Sequence, residues 1–381
     1  MLVVKVPLNG INALKNILME KNLVERNYKL QTKDGYGFIP VVKLKNLNEI
    51  KQEMEKSLNY SQEINSTIIK EIKVIDLDGK NLNLNDSNFK DLNFKNYKKS
   101  PSSVIDTLKE DLDGIICSSE LDKIKKSFDI VGEIVILEIP DGLLKYKNEI
   151  AIATLKFTKR KSVFMKKGAV SGVIRTRNLE FLCGENNPET IYKEHGIKLK
   201  LNVKTVYFSP RLGSERLRVS NQVKNNEKIL DMFTGIGPFP ILIAKNHDVN
   251  ITAVDINKEA IKYLKENINL NKLKGRIYPK ESDICEIAKK CSNENIKFNR
   301  IIMNLPGSAF KFLDLSFSLI EDKGVIHYYE FGKNYEEGKK RLQNMAIKFN
   351  KEIEILSNRK VKSTSPGMWH LVFDVKIMDK T

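Results

Sequence analysis

The sequence has few residues of the kinds that build disulfide frameworks and metal centres. Its four cysteines (Cys117, Cys183, Cys285 and Cys291) form no C-x-x-C pair, and its four histidines are scattered along the 381 residues. Zinc sites and disulfide-stapled domains need such residues in clusters. We therefore expect no metal site and a reducing, cytoplasmic setting, although the sequence leaves a requirement for Mg²⁺ open.

Long apolar runs and a secretion signal are absent as well. No segment is long and apolar enough to cross a bilayer. The N-terminal MLVVKVPLNGINALKN lacks the basic start, long apolar stretch and cleavage site of a signal peptide. A hydrophobic fraction of 41% still suffices for well-packed cores. We expect no membrane partner, no obligate protein partner, a monomer, and two or three domains.

Positive charge is in excess, and it is concentrated. The net charge is +17; residues 1–150 hold 23 basic and 23 acidic side chains, 151–220 hold 15 and 5, and 221–381 hold 27 and 20. A surplus of +10 within 70 residues suits a polyanionic partner, because each neutralised phosphate releases counterions. The sequence therefore predicts binding to nucleic acid.

The last 160 residues alternate strand-like and helix-like segments, from EKILDMF at 227–233 to YEEGKKRLQNMAIKF at 335–349. Such alternation predicts a parallel, doubly wound sheet. Two strand-like runs joined by a Ser-Pro-Gly turn at 365–367 then predict an antiparallel edge. This order resembles the Rossmann-like α/β sheet of class I methyltransferases more than a plain dinucleotide-binding fold.

The upstream sequence predicts α+β structure. Residues 1–45 suggest a strand, a helix around 10–23 and a second strand, whereas the Asn- and Lys-rich residues 46–110 predict long loops or an insertion. Strand-like runs surround the basic segment further on. We predict three domains: 1–100, including the insertion or linker, 101–220, and a catalytic domain at 221–381.

A cofactor loop is predicted in LDMFTGIGPF, which contains Asp231, Gly235 and Gly237. The glycines allow a tight turn and close approach to a ligand at the end of the first strand of the sheet. Asp255 ends the next strand, where a carboxylate can bind both ribose hydroxyls. The third glycine of a pyrophosphate-binding motif is missing, and an acidic loop suits a cationic amino-acid group. These features favour S-adenosylmethionine over NAD.

Further side chains are expected around that cofactor. Asp283 follows the third strand, where it would bind the adenine amino group or would only cap the next helix. The other predicted cofactor contacts are Phe233, Ile256, Asn304 and Arg211.

The fourth strand ends in RIIMNLP, which suits a planar base. The Asn304 amide and the Leu305 carbonyl can accept hydrogen bonds from it, and Pro306 fixes the chain direction. The motif resembles the Asn-Pro-Pro-aromatic motif of amino-group methyltransferases, but Gly307 and Ser308 follow and the stacking aromatic is missing. Exocyclic N2 or N6 methylation is therefore disfavoured. Taken alone, the motif is also compatible with a strand-end Asn that caps the next helix.

Six blocks, in order, resemble the archaeal and eukaryotic tRNA (guanine-N1)-methyltransferases that act at guanosine 37, beside the anticodon. The blocks are VIRTRNLEFLCGEN (173–186), VYFSPRLGSER (206–216), DMFTGIGPF (231–239), AVDIN (253–257), RIIMNLP (300–306) and GVIHYY (324–329). The resemblance implies a small tRNA-docking domain, a middle RNA-binding domain and a catalytic domain. It also implies tRNA as substrate, S-adenosylmethionine as donor and S-adenosylhomocysteine as product. Residues 46–110 and GSAFKF after the Asn-Leu-Pro depart from the family pattern.

The resemblance places functional positions at Arg175, Tyr207, Glu215, Asn304 and Pro306. Guanine N1 must lose its proton to become a nucleophile, and Glu215 is the candidate base. Arg175 would donate to O6 as charge develops there. Asn304 would hold the base edge, and Tyr207 would lie near cofactor and target. Taken singly, Arg175 suits a phosphate contact, Glu215 a surface ion pair and Tyr207 a core aromatic.

Two alternatives stay open from the sequence. Paralogues of the family methylate C7 of the tricyclic wyosine precursor at the same nucleotide, alone or besides guanine N1. The other is an RNA-binding protein that keeps a methyltransferase fold as a scaffold, against which the complete set Asp231, Gly235, Gly237, Asp255 and Asn304 argues.

Overall fold

The computed structural model describes residues 2–25, 30–42, 48, 51–52, 68–76, 104–111, 120, 124, 128–168 and 178–380. The chain divides into two compact units, Met1–Pro101 and Ser102–Thr381. The finer division expected at residue 220 stays a prediction. Within the described ranges, no helix is long and apolar enough to cross a membrane.

The first unit is a small antiparallel sheet with one helix. Its strands lie in the order β2-β3-β1-β4. The elements are β1 (Leu2–Pro7), α1 (Ile11–Glu20), β2 (Gln31–Lys33), β3 (Tyr36–Val41) and β4 (Lys73–Asp76). The predicted strand-helix-strand order of 1–45 is confirmed. β4 pairs with β1 from within the segment for which the sequence predicts loops; most of that segment lies outside the described residues.

The second unit begins with a four-stranded sheet, a helix pair and a hairpin. The sheet order is β5-β6-β7-β8, and β6 and β7 are parallel. The elements are α2 (Val104–Asp111), β5 (Asp129–Val131), β6 (Ile134–Leu137), α3 (Lys147–Thr158), β7 (Ser162–Lys166), β8 (Leu179–Gly184), β9 (Glu189–Glu194) and β10 (Ile197–Asn202). Helices α2 and α3 pack together over a core that includes Leu108, Val135 and Ile150.

The remainder is a seven-stranded sheet in the order β13-β12-β11-β14-β15-β17-β16. Its strands are β11 (Lys228–Asp231), β12 (Asn250–Asp255), β13 (Arg276–Glu281), β14 (Phe298–Met303), β15 (Ile320–Gly332), β16 (Lys351–Ser365) and β17 (Met368–Asp379). Its helices are α4 (Gly213–Ser220), α5 (Pro238–Asn246), α6 (Lys258–Leu270), α7 (Ile284–Asn293), α8 (Leu313–Leu319) and α9 (Glu336–Lys348).

This sheet confirms the predicted fold class. Five strands are parallel, and β17 runs antiparallel between β15 and β16. The helix-like segment AFKFLDLSFSLIED (309–322) forms only the shorter helix α8, because Ile320 already pairs with Phe298 and begins β15. The chain leaves β11 toward β12 on one side, whereas β14 lies on the other side. A crevice therefore opens at the carboxyl ends of β11 and β14.

Gly237 fixes how α5 starts beside this crevice. It is the N-cap residue of α5 with φ 85°, in the left-handed region that favours glycine. A Cβ atom at this position would lie 2.2 Å from Leu264 Cδ1 of α6. The absence of a side chain therefore lets the loop and α6 pack together.

We predict that Gly237→Ala destabilises the protein, because alanine meets both the unfavourable φ and the Leu264 side chain. The melting temperature of the full chain should fall by about 4 °C or more. Gly142→Ala is the matched control, since no atom lies within 4 Å of its added Cβ and its φ is ordinary. Equal melting temperatures for the two variants would contradict this account.

Candidate functional site

A cavity lies at the carboxyl ends of the parallel strands, within the second unit. The structure brings eight of the predicted site residues together in its lining. They are Tyr207, Phe233, Gly235, Asp255, Ile256, Asp283, Asn304 and Pro306. These residues come from the ends of β11, β12, β13 and β14 and from the loop after β10, as expected for a ligand site in an open α/β sheet.

Asp255 is held rigidly at the end of β12. Its Oδ2 accepts a hydrogen bond from the Gly235 amide at 2.7 Å, and its Oδ1 accepts one from the Asn257 amide at 2.9 Å. Burial raises its pKa above the ordinary value. Each carboxylate oxygen keeps a further lone pair, so the group can accept hydrogen bonds from a pair of ribose hydroxyls.

Asp283 caps α7, and it also lies in the cavity lining, where its contact with adenine stays a prediction. Its Oδ1 accepts a hydrogen bond from the Cys285 amide at 2.8 Å and so caps α7. The residue also lines the cavity. A capping aspartate still has a second oxygen, which can accept a hydrogen bond from an amino group.

Asp231 lies just behind the cavity lining. It is 1% exposed, and its Oδ2 has no hydrogen-bond partner among the described residues. Its Oδ1 accepts a long hydrogen bond, 3.4 Å, from the Phe233 amide. Burial raises the pKa of Asp231 to about 7. A buried carboxylate with an unused oxygen is what a ligand ammonium group requires.

Two predicted cofactor residues lie elsewhere. Arg211 does not line the cavity; its Nε donates to Asp129 Oδ1 at 2.6 Å and so ties the loop before α4 to β5. Gly237 supports the loop from behind, as the N-cap of α5. Their direct contact with a cofactor stays a prediction.

Glu215 is fully buried rather than part of a surface ion pair. Its carboxylate accepts hydrogen bonds from Arg218 (Nη2 to Oε1, 2.7 Å) and from the Tyr329 hydroxyl (2.7 Å), and Arg359 lies 3.7 Å away. It is 0% exposed and does not line the cavity. The Tyr329 ring packs against the ring of His370, with centroids 5.4 Å apart, and His370 does line the cavity. Arg175 lies outside the described residues.

Phe331, Lys362 and His370 are among the lining side chains that could not be predicted from the sequence. They lie opposite one another on β15, β16 and β17, with Phe331 paired to His370 and Lys362 paired to His370. The sequence predicted these strands but carried no signal for their register. Only that register brings the three side chains together.

The sequence matches three family models in chain order. They describe a tRNA methyltransferase 5 N-terminal domain (residues 4–46), a TYW2 N-terminal domain (108–187) and a TRM5/TYW2 methyltransferase domain (190–356). The tRNA (guanine(37)-N(1))-methyltransferase Trm5b of Methanocaldococcus jannaschii is 36% identical over 370 residues, 96% of each chain.

This chain belongs to the TRM5/TYW2 methyltransferase family. A solved complex of aTrm5 with tRNALeu has a TM-score of 0.70, with 34% identity and 99% of each chain covered. A tRNA 4-demethylwyosine(37)-methyltransferase, Taw21 of Saccharolobus solfataricus, is 35% identical over 257 residues, 66% of this chain and 94% of that protein. The family expected from the sequence is confirmed, and with it a methyltransferase that uses S-adenosylmethionine.

The cavity fits this cofactor of the TRM5/TYW2 family. The unused Asp231 oxygen suits the ammonium group, Asp255 suits the ribose and Asp283 suits the adenine amino group. Apolar side chains of Phe233, Ile256 and Phe312 form the walls between these polar groups.

We predict that cofactor affinity falls as the pH is lowered through 7. Asp231 must be ionised to bind an ammonium group, and below its pKa of about 7 it must first release a proton. The dissociation constant for S-adenosylmethionine should therefore rise by up to about tenfold per pH unit below that value. Calorimetric titration between about pH 5.5 and about pH 7.5 measures this dependence.

Asp231→Asn should weaken binding at high pH and flatten the profile. Asp283→Asn is the matched control, since it removes a carboxylate from the same cavity but should keep the slope. An Asp231→Asn profile as steep as the original would show that another group titrates.

Proposed function

We propose that this protein transfers the methyl group of S-adenosylmethionine to N1 of guanosine 37 in tRNA. The observation that carries the proposal is that one cavity is lined by two different sets of side chains, which meet where β11 and β14 lie side by side. The ends of β11, β12 and β13 supply the acidic cofactor residues, and the end of β14 supplies Asn304 and Pro306. The Trm5b relative and the tRNA complex of aTrm5 give the substrate.

Asn304 is available to hold a base edge. Its side chain makes no hydrogen bond within the described part of the chain, and it lines the cavity. The Leu305 carbonyl, expected to share this task, already accepts the Ser308 and Ala309 amides at 2.9 and 2.8 Å. Recognition of the base by this strand therefore falls to Asn304.

The bound cofactor supplies an already activated methyl group, so the protein must align the base and remove the N1 proton. Glu215 is the proposed base, and Arg175 is the proposed donor to O6. In this structure the Glu215 carboxylate faces Arg218 and Tyr329. To accept the proton it must turn toward the cavity and give up hydrogen bonds there.

A second candidate is C7 methylation of the wyosine precursor at the same nucleotide. The similarity to the Taw21 protein favours it, as does the departure of GSAFKF after Pro306 from the family pattern. The Trm5b relative matches a larger share of this chain, 96% against 66%, and decides for guanine N1. We also infer a cytoplasmic setting, in line with the free thiols of Cys183, Cys285 and Cys291.

We predict methyl transfer to unmodified tRNA transcripts with G at position 37 and none to matched transcripts with A there. Labelled S-adenosylmethionine followed by nucleoside mass spectrometry identifies both the base and the methylated atom. Label in guanosine at another position, or equal label with A37, would contradict the proposal.

We further predict that Glu215→Gln slows a single turnover by about 10²-fold to 10⁴-fold, because an amide cannot accept the N1 proton. Affinities for cofactor and tRNA should change little. Glu194→Gln is the matched control, since Glu194 of β9 also forms a buried ion pair with an arginine of α4, Arg216 (Nε to Oε1, 2.6 Å). Equal single-turnover rates for the two variants would remove Glu215 as the base.

A further inference from the structure

The cavity contains an aromatic side chain that the methyl-transfer roles above do not use. Phe331 lies near the carboxyl end of β15, and its amide donates to the Pro306 carbonyl at 3.2 Å. This bond fastens the end of β15 to the Asn-Leu-Pro segment. Phe331 is therefore fixed beside the residues that face the target base.

The Phe331 ring lies where the side chain at position 307 would point. A Cβ atom built on Gly307 would lie 3.8 Å from Phe331 Cε2, at ordinary contact distance. In an Asn-Pro-Pro-aromatic motif aligned on Asn304, position 307 is that of the aromatic residue. The Phe331 ring, which comes from the neighbouring strand β15, therefore lies beside position 307, where the motif carries its aromatic side chain.

The ring orientation is fixed by His370. The two rings meet edge to face, with centroids 5.7 Å apart and an interplanar angle of 64°. His370 is 2% exposed and packs in turn against Tyr329. Phe331 itself is only half-buried, which leaves part of its ring exposed in the cavity.

The other phenylalanines nearby are engaged elsewhere. Phe312 packs against Phe233 of the cofactor loop, with ring centroids 5.2 Å apart. Phe310 does not line the cavity and lies under the Arg341 guanidinium, 5.2 Å from its ring centroid. In the described part of the chain, Phe331 is thus the phenylalanine that remains for a ligand on the β14–β17 side of this cavity.

We propose that Phe331 stacks on the target purine and so replaces the aromatic residue missing after Pro306. The inference rests on the proposed function and extends it with a base-stacking contact. Stacking on an aromatic side chain is sequence-tolerant and orients a flat base without using its hydrogen-bonding edge. That edge stays available to Asn304, and the plane of the base, with its reacting nitrogen, is held parallel to the ring.

The test compares Phe331→Leu, Phe331→Tyr and, as a matched control, Phe349→Leu. Phe349 packs against Phe317 (centroids 5.9 Å apart) away from the cavity, so its substitution reports on lost aromatic packing alone. Single-turnover methylation of G37 transcripts is measured at saturating cofactor. The Leu variant at 331 should be slower by about 5-fold to 100-fold, the Tyr variant close to wild type, and Phe349→Leu unchanged.

Stacking is measured separately by the fluorescence of transcripts with 2-aminopurine at position 37, which stacking quenches. Bound to Phe331→Leu, this probe should be brighter than when bound to wild type or to Phe349→Leu. Equal rates and equal fluorescence for wild type and Phe331→Leu would overturn the proposal. It would also be overturned if Phe331→Leu lost affinity for the cofactor by the same factor as it lost methylation rate. Absence of 1-methylguanosine with wild type would instead defeat the proposed function, and the fluorescence would still test stacking.

Discussion

The site depends on β11 and β14 being parallel neighbours whose chains diverge at their carboxyl ends. The loop after β11 is clamped on both sides, because the Met232 amide donates to the Ile302 carbonyl of β14 at 3.1 Å and the Thr234 amide donates to the Val254 carbonyl of β12 at 2.9 Å. These bonds place the acidic cofactor loop and the Asn304 end of β14 at one crevice. These backbone bonds thereby set the proposed sites for the methyl donor and the methyl acceptor side by side.

A buried chain of charged side chains supports the half of the cavity that is proposed to bind the base. Arg218 bridges Glu215 and Asp374, and Asp374 also accepts from His327 at 2.7 Å. Burial opposes ionisation of Asp374, but the hydrogen bonds from His327 and Arg218 hold its pKa well below the ordinary value. Burial also lowers the pKa of His327, whose other nitrogen faces Arg300 at 2.8 Å. The chain links α4 to β15 and β17 and explains why Glu215 is buried.

The residues that could be predicted from the sequence are those whose position is set by the end of a strand. Asp255 and Asn304 were found because a polar residue that closes a buried strand of a parallel sheet must lie at its open edge. Phe331 and His370 were missed because they are neighbours only through the antiparallel register of β15 and β17. The burial of Glu215 was also unreadable, since Arg218 orients it through Asp374, which lies 156 residues further along the chain.

The most direct test of the account is a competition between two tRNAs, one with guanosine and one with 4-demethylwyosine at position 37. Both offer a planar base to Asn304 and Phe331, but only guanosine requires removal of a ring N1 proton. Mass spectrometry of the nucleosides formed from equal amounts of the two should find 1-methylguanosine. Methyl transfer to C7 of the tricyclic base in its place would contradict the central claim.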